Sequence, residues 1–301
     1  MPGSGHLKPD GTKRRVVVAG ATGYLGKFVT LEFKRRGYWV RALTRSAQRL
    51  EDTGPFTAPG IAAEEVDDIF VGEVTRPETL DGLFDGIDLV FSAVGISRQR
   101  DGLSFEQVDY QANRNLLDAC QRTGVAKFVY VSMLGEDQIA ELAITKAHER
   151  MVADLRASGL EHAIVRPSGY FSDMGAVLDM AKRGRVLLVG DGDNHFNPIY
   201  GGDLAEVCVD AAEGDEREVE AGGPDNLTQR EVAELAFDVL GKPAKISVIP
   251  MWLARGLARF IGLLSTQFGD LAEFIVTAGE VDAVAPARGK TTLRSYFEKL
   301  A

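Results

Sequence analysis

Residues 16 to 26 read VVVAGATGYLG. Val16 to Val18 have the β-branched composition of a strand buried on both faces of a parallel sheet, and the run stops at glycines 20, 23 and 26, where a helix is expected to begin. In such a turn the first glycine lets the chain reverse, the second lets a phosphate approach the backbone, and the third lets helix and strand pack closely. The free N–H groups at the helix start then face the anion. A tight strand-to-helix turn with no ligand would use the same residues, so the context has to decide. Phe28, Leu31 and Phe33 follow as an amphipathic segment and Tyr38 to Leu43 as a second strand, completing a βαβ unit. The unit predicts a dinucleotide cradle made by Gly20, Thr22, Gly23, Tyr24, Leu25 and Gly26.

The end of the second strand distinguishes the two nicotinamide dinucleotides, because a carboxylate there would hold a ribose 2′-hydroxyl. No acidic residue stands between Phe33 and Leu50, whereas Lys34, Arg35, Arg36, Arg41, Arg45 and Arg49 are basic. Arg45 lies just past the strand, where a guanidinium can grip a 2′-phosphate with two parallel hydrogen bonds. NADP(H) is therefore expected over NAD(H). Lys34 to Arg36 read instead as a solvated helix face.

Outward from this unit the strand and helix patterns alternate. Thr53 to Ala63 reads as a loop, Asp68 to Val71 as a strand, Leu80 and Leu83 as the start of a helical pattern stopped by Gly86, and Leu89 to Val94 as a strand. A helix over Phe105 to Gly124, a strand at Phe128 to Ser132, a helix over Glu141 to Ser158 and a strand at His162 to Arg166 follow. This alternation predicts an α/β fold with a doubly wound parallel sheet of Rossmann type over residues 14–166. Beyond it, Val186 to Val189, Ile199 with Tyr200, and Val219 to Ala221 read as short strands among helices. They predict a smaller α+β substrate lobe over 167–301, partly interleaved with the first. Thr228 and Glu231 have the spacing of a capping box, and residues 1–13 read as a disordered tail.

Composition sets bounds. The chain has 301 residues, 45% of them hydrophobic, enough for a substantial core. A net charge of −10 argues against a nucleic-acid surface, which needs clustered cations. Cys120 and Cys208 sit in apolar helical patterns without CxxC or metal spacing, so they read as reduced, buried thiols in a cytoplasmic protein. His6, His148, His162 and His195 lack metal-ligand spacing, and no metal is expected. The apolar stretch from Ile249 to Leu264 contains Arg255 and Arg259 and is too short to span a bilayer. Leu253, Leu257, Phe260, Ile261 and Leu264 recur at helical spacing with the arginines elsewhere, which predicts an amphipathic helix covering the core or a pocket, with a membrane-surface role as the less favoured alternative.

In order and spacing, GATGYLG (20–26), GEVTRPETL (72–80), SAVG (92–95), KFVYVS (127–132), RPSGYF (166–171) and NPIYGGDLAEV (197–207) resemble the short-chain dehydrogenase/reductase superfamily. The likeness is to its atypical branch, related to the regulator NmrA, isoflavone-type reductases and divinyl-chlorophyllide-type reductases. It implies that Glu73 and Val74 line an adenine, that Ala93, Val94 and Gly95 run along the cofactor, and that Pro167 to Phe171, Tyr170 included, meet the nicotinamide. It also implies an acid/base Tyr four residues before a Lys, with a Ser orienting the substrate. Lys146 and Ser132 match, but the tyrosine position holds Leu142, which cannot transfer a proton. Lys146 is then either an acid or a ribose clamp, or else a surface lysine paired with Glu149. Ser132 either orients substrate or bonds its own turn. Tyr170 and Phe171 either stack near the nicotinamide or fill the lobe interface. Arg98 either binds substrate or is an ordinary loop arginine, and His195 reads as part of an exposed turn.

The expected function is an NADP(H)-dependent reductase of a small carbonyl or activated-alkene substrate. The alternative is a non-catalytic NADP(H)-binding sensor or assembly factor. An epimerase or dehydratase holding NAD tightly is disfavoured by the missing Tyr and the basic run.

Overall fold

The computed structural model describes residues 7–8, 11–54, 56–96 and 102–301. In chain order the strands are β1 (Arg15–Ala19), β2 (Trp39–Thr44), β3 (Asp68–Val71), β4 (Leu89–Ser92), β5 (Lys127–Val131), β6 (Glu161–Pro167), β7 (Val186–Val189), β8 (His195–Phe196), β9 (Glu218–Ala221), β10 (Leu227–Thr228) and β11 (Ile246–Ile249). The helices are α1 (Tyr24–Arg35), α2 (Gln48–Glu51), α3 (Asn113–Thr123), α4 (Ala143–Ala157), α5 (Phe171–Lys182), α6 (Gly201–Glu213), α7 (Gln229–Val239), α8 (Met251–Leu264), α9 (Thr266–Ala278) and α10 (Leu293–Leu300). Seven strands form one parallel sheet in the order β3-β2-β1-β4-β5-β6-β9. That is the doubly wound Rossmann order, whose direction reverses between β1 and β4.

The period of two along each strand divides the core. Val16 and Val18 pack with Leu25, Val29 and Phe33 of α1 and Leu204, Ala205 and Cys208 of α6 on one face of the sheet. Val17 and Ala19 pack on the other face with Leu116 and Leu117 of α3 and Met151 and Leu155 of α4. Each fully buried valine, leucine, methionine or phenylalanine among them contributes roughly 1.5–3 kcal/mol. A third cluster, built on Phe171, Leu178, Val232, Phe237, Tyr296 and Phe297, forms the C-terminal core. Thr228 caps α7 as expected: its hydroxyl accepts from the Glu231 N–H at 3.1 Å, and the Glu231 carboxylate accepts from the Thr228 N–H at 2.8 Å.

Several expectations are corrected. The crossover from β3 to β4 has only a 3₁₀ turn at Pro77–Thr79. Gly82 and Gly86 adopt φ of +79° and +67° and break the helix that Leu80 and Leu83 suggested, while both leucines still enter the core. Val219 to Ala221, expected as a short strand of the second lobe, joins the main sheet beside β6, so the two parts interleave there. Ile199 makes only an isolated bridge to Tyr170. Within the expected tail, Leu7 bridges to Lys13 and Lys8 pairs with Asp88 at 2.9 Å, while residues 1–6 and 9–10 lie outside the described set. Nor is Arg36 solvated: it holds Glu32, Asp210 and Glu213 and so ties α1 to α6.

The largest correction concerns α8. Its small residues Ala254 and Ala258 face inward, and Gly262 meets α9 so closely that a Cβ on Gly269 would stand 2.4 Å from the Gly262 Cα. Close packing along that ridge turns Leu253, Leu257, Phe260 and Leu264 outward, where they are 48%, 54%, 58% and 74% exposed. The periodicity is helical as expected, but the apolar stripe points away from the core. Among the described residues no helix is long and apolar enough to cross a membrane.

Candidate functional site

Parallel pairing brings the carboxyl ends of six strands to one edge. Ala19 pairs with Leu43 and Ser92, Thr44 with Val71, Ser92 with Tyr130, and Val131 with Val165. The sequence-predicted residues follow these ends in spatial order: Glu73 and Val74 after β3, Arg45 after β2, the glycine turn after β1, Ala93 to Gly95 after β4, Ser132 after β5, and Pro167 at the end of β6. The crevice of such sheets opens at this edge, at the reversal between β1 and β4.

At the reversal point Gly20 has φ +81°, and a Cβ there would stand 2.9 Å from the Ala93 carbonyl oxygen. A Cβ on Gly26 would stand 2.0 Å from the Gly20 carbonyl, so this third glycine is a packing requirement. Gly23, between them, is exposed and forms the N-cap of α1 without a side-chain cap, and the first turn carries no acidic residue. The first-turn N–H groups have no intrahelical acceptor, and the helix dipole favours an anion there. This cradle fits a dinucleotide pyrophosphate. Thr22 and Tyr24 are partly exposed and Leu25 is buried. The Tyr24 hydroxyl accepts from the Gly201 N–H at 3.1 Å, so that side chain joins α1 to α6.

Arg45 is exposed beyond β2, on a turn in which the Thr44 hydroxyl accepts from the Ser46 N–H at 3.0 Å and donates to the Ser46 carbonyl at 2.7 Å. Lys27, which the sequence reading missed, is 1% exposed and donates to the carbonyls of Leu50 (2.8 Å) and Asp52, pinning the segment after Arg45. Burial pushes its pKa down, against the opposing charge of Asp52. On the next strand end, the Thr79 hydroxyl accepts from the Glu73 N–H at 2.8 Å and Asn115 donates to the Val74 carbonyl at 2.9 Å.

Ala93, Val94 and Gly95 are held from beneath by a buried polar network that sequence reasoning also missed. Asn113 accepts from Ser92 at 2.6 Å and donates to the Val94 carbonyl at 2.9 Å. Asp109, 1% exposed, accepts from the Ile96 N–H at 3.2 Å and lies 3.3 Å from His148 Nε2, and His148 Nδ1 is 2.7 Å from the Tyr130 hydroxyl. His148 thus bridges the Asp109 carboxylate and the Tyr130 hydroxyl, which also lies 3.3 Å from the Asp109 carbonyl oxygen. Burial, then the Asp109 charge, pushes the Tyr130 pKa well up. The helix leading into α3 is π-wound over Glu106–Ala112, a distortion frequent at functional sites. Its sequence signal was two polar residues, Asp109 and Asn113, four apart within an apolar pattern.

The residues read as catalytic are not brought together in the same way. Ser132 is 4% exposed and its hydroxyl accepts from Arg166 Nη1 at 3.3 Å. Arg166, 3% exposed, also donates to the Met133 carbonyl at 3.1 Å and to Glu149 at 2.8 Å. Its charged state is favoured because the Glu149 carboxylate outweighs the cost of burial. Glu149 is thus the partner of Arg166 and not of Lys146. Lys146 pairs instead with Glu141 at 2.8 Å, with its side chain 56% exposed. It lines an open cavity of about 570 Å³ along the outer face of α4 together with Glu136, Glu149 and Arg150. Leu142, at the tyrosine position, is buried with Ile139 and Ile144.

At the end of β6, Pro167 is buried and Tyr170 packs edge-on to Tyr24 with ring centroids 6.2 Å apart. Phe171 is fully buried against Tyr296 at 5.1 Å, in the C-terminal core. Tyr170 thus packs against the cluster of β1 and α1, and Phe171 lies in the C-terminal cluster. His195 is exposed on β8, and Arg98 lies outside the described residues.

This arrangement has known counterparts. The pattern of a family described as NAD(P)H-binding matches residues 20–215, from the glycine turn through α6. The chain belongs to the NAD(P)H-binding family. Within that family it stands in the atypical short-chain dehydrogenase/reductase branch. It is 30% identical to divinyl chlorophyllide a 8-vinyl-reductase of Zea mays, with 95% of this chain and 79% of that protein covered. It is 26% identical to the photosystem II assembly factor Ycf39 of Synechocystis sp., with 82% of this chain and 74% of that protein covered. Among solved structures, a nucleoside-diphosphate-sugar epimerase of Staphylococcus aureus matches with a TM-score of 0.75 at 16% identity, covering 95% of this chain and 99% of that one. An NADPH-dependent quinone oxidoreductase of Escherichia coli matches with a TM-score of 0.71 at 18% identity, covering 95% and 99%. At these identities the structural likenesses confirm the doubly wound fold.

Proposed function

We propose that this family member is an NADP(H)-dependent reductase that transfers hydride to a small carbonyl compound or an activated alkene. The observation that carries the reading is the row of strand ends with the open Gly23 cradle at its centre and Arg45, not a carboxylate, at the end of β2. When bound, NADPH supplies the hydride. The chain's own residues hold the pyrophosphate at the start of α1, grip a 2′-phosphate through Arg45, and present the backbone of Ala93 to Gly95 along the crevice. Glu73 and Val74 line the adenine, and Pro167 bounds the far end with the backbone of Tyr170 and Phe171. Lys146, released from Glu141, serves as ribose clamp or proton donor. Reduction of a conjugated alkene suits a site without tyrosine, because charge delocalised into the conjugated system lowers the demand for a strong acid. The vinyl-reductase relative supports that substrate class. The two buried, unpaired cysteines support a reducing compartment such as the cytoplasm.

A second reading, a non-catalytic NADP(H)-binding sensor or assembly factor, is favoured by the buried Leu142 and by the engagement of Ser132 with Arg166. Fluorescence titration with NADPH and NADH, repeated on Arg45→Glu, tests the common part. We expect NADPH affinity to fall roughly 10- to 100-fold in the variant, matching about 1.5–3 kcal/mol for charge-assisted hydrogen bonds, with NADH binding little changed. NADPH oxidation by enones, quinones or aldehydes then separates the readings: turnover with one class supports the reductase, and tight binding without turnover supports the sensor. Equal affinities for both dinucleotides in both proteins would overturn the role of Arg45.

A further inference from the structure

α8 is built inside out. With about 100° between successive residues, Trp252, Leu253, Gly256, Leu257, Phe260, Leu263 and Leu264 occupy one continuous arc of about 140°, and every one of them is exposed. Trp252 is 74% and Leu263 85% exposed, and Phe268 at the start of α9 extends the surface at 55%. Together these side chains make a contiguous exposed apolar patch, of the kind that marks an interaction surface. The opposite face, Ala254 and Ala258 with Gly262, is spent on α9.

Two features identify what this face fits. Apart from the indole N–H of Trp252, no side chain on the arc offers a hydrogen bond, whereas protein interfaces carry about one per 100–200 Å². A surface without polar groups suits a partner that needs none, such as lipid acyl chains. The second feature is charge. No Asp or Glu occurs from residue 239 to 269, although 44 of the chain's 301 residues are acidic and its net charge is −10. That stretch carries Lys242, Lys245, Arg255 and Arg259 instead, and the two arginines border the apolar arc. The nearest carboxylates, Asp270 and Glu273, lie with both arginines in the groove between α8 and α9, and Glu280 pairs with Arg255 at 2.6 Å. All three stand off the arc. A helix with a Trp- and Leu-rich face flanked by arginine suits the headgroup boundary; with Arg255 held by Glu280, the guanidinium that can reach lipid phosphate is that of Arg259.

We propose that the α8–α9 hairpin docks this protein on an anionic membrane surface, with Trp252, Phe260, Leu263, Leu264 and Phe268 inserted at the acyl boundary and Arg259 meeting lipid phosphate. The docking does not rest on the reductase reading. Its consequence for the site is orientation: Leu271 and Phe274 on α9 pack against the cluster that holds Leu142 and Ile144, so the hairpin joins the membrane to the rim of the candidate site.

The test is flotation of the full chain with vesicles of phosphatidylcholine and phosphatidylglycerol in equal parts, and with phosphatidylcholine alone. Co-flotation with the mixed vesicles, falling at least tenfold in Leu263→Asp/Leu264→Asp and several-fold in Arg259→Gln, is the expected result. Both leucines are exposed, so the melting temperature and NADPH affinity of the double variant should match the parent. No association with the mixed vesicles would overturn the proposal, as would equal binding to phosphatidylcholine alone. A dimer that the double substitution converts to monomer, without vesicle binding by either protein, would also overturn it and assign the face to a second copy of the chain.

Discussion

The two halves of the sheet's carboxyl edge are finished differently. Around β1, β2 and β4 the backbone is held from beneath by Lys27, Asn113 and Asp109, while Gly23 and Arg45 above it are exposed. Around β5, β6 and α4 the corresponding side chains are engaged with one another: Ser132 with Arg166, Arg166 with Glu149, and Lys146 with Glu141. One half exposes a glycine turn and an arginine, whereas in the other Ser132 and Arg166 are buried against each other. The contrast separates the ability to bind a dinucleotide from the ability to move a proton, which the missing tyrosine had already put in question.

The comparison is broken most severely at its centre. Gly26→Ala would place a methyl 2.0 Å from the Gly20 carbonyl, which the backbone of a turn cannot yield without moving the cradle. We expect a loss of at least about 2 kcal/mol of stability by urea denaturation and no measurable NADPH binding. Retention of binding would mean that the cradle is not set by α1 packing on the turn.

Next in size is the half around β5, β6 and α4. Arg166→Met removes a guanidinium that is 3% exposed and leaves Glu149 and the Ser132 hydroxyl without their donor. Breaking a buried pair costs about 3–5 kcal/mol, and because Glu149 is one-third exposed we expect a loss of about 2–3 kcal/mol in the unfolding free energy from urea denaturation. NADPH affinity should change less than threefold. A large loss of affinity at unchanged stability would show instead that the two halves form one binding surface.

These expectations depend on parts of the molecule that were unequally legible. The β1–α1–β2 unit could be read from local pattern because a buried parallel strand and a glycine turn leave signatures within a dozen residues. α8 could be read as a helix but not oriented: periodicity defines a stripe, and only the Gly262–Gly269 contact with α9 decides that the stripe faces outward. The pairing of Glu149 was equally out of reach, since its partner Arg166 is seventeen residues away on another element. Lys27 gave no signal because its acceptors are backbone carbonyls at the end of α2, more than twenty residues away.

A smaller effect concerns the far end of α1. Burial raises the pKa of Glu32, but hydrogen bonds from Arg35 and Arg36 outweigh it and hold the carboxyl below its ordinary value. A depressed carboxylate contributes stability above its unfolded pKa, and that stability is lost as pH falls through the folded one. Urea midpoints measured from pH 7 to pH 3 should therefore decline in the acid range. The decline should be shallower in Glu32→Gln, which starts about 1 kcal/mol lower at pH 7. An unchanged slope would show that the α1–α6 tie through Arg36 rests on Glu213 and Asp210 alone.

The smallest expected effect bears most directly on the comparison. If Ser132 is occupied by Arg166, Ser132→Ala removes one long hydrogen bond of 3.3 Å, worth about 0.5–1.5 kcal/mol at most. Stability should fall by no more than that, and turnover, with whatever substrate class the NADPH assay identifies, should change less than tenfold. A serine that orients the reacting group in the transition state behaves otherwise, with turnover falling a hundredfold or more while NADPH affinity and the urea midpoint stay put. That result would mean the Arg166 contact opens when substrate enters, and the half whose side chains engage one another in the free protein would then be the half that does the chemistry.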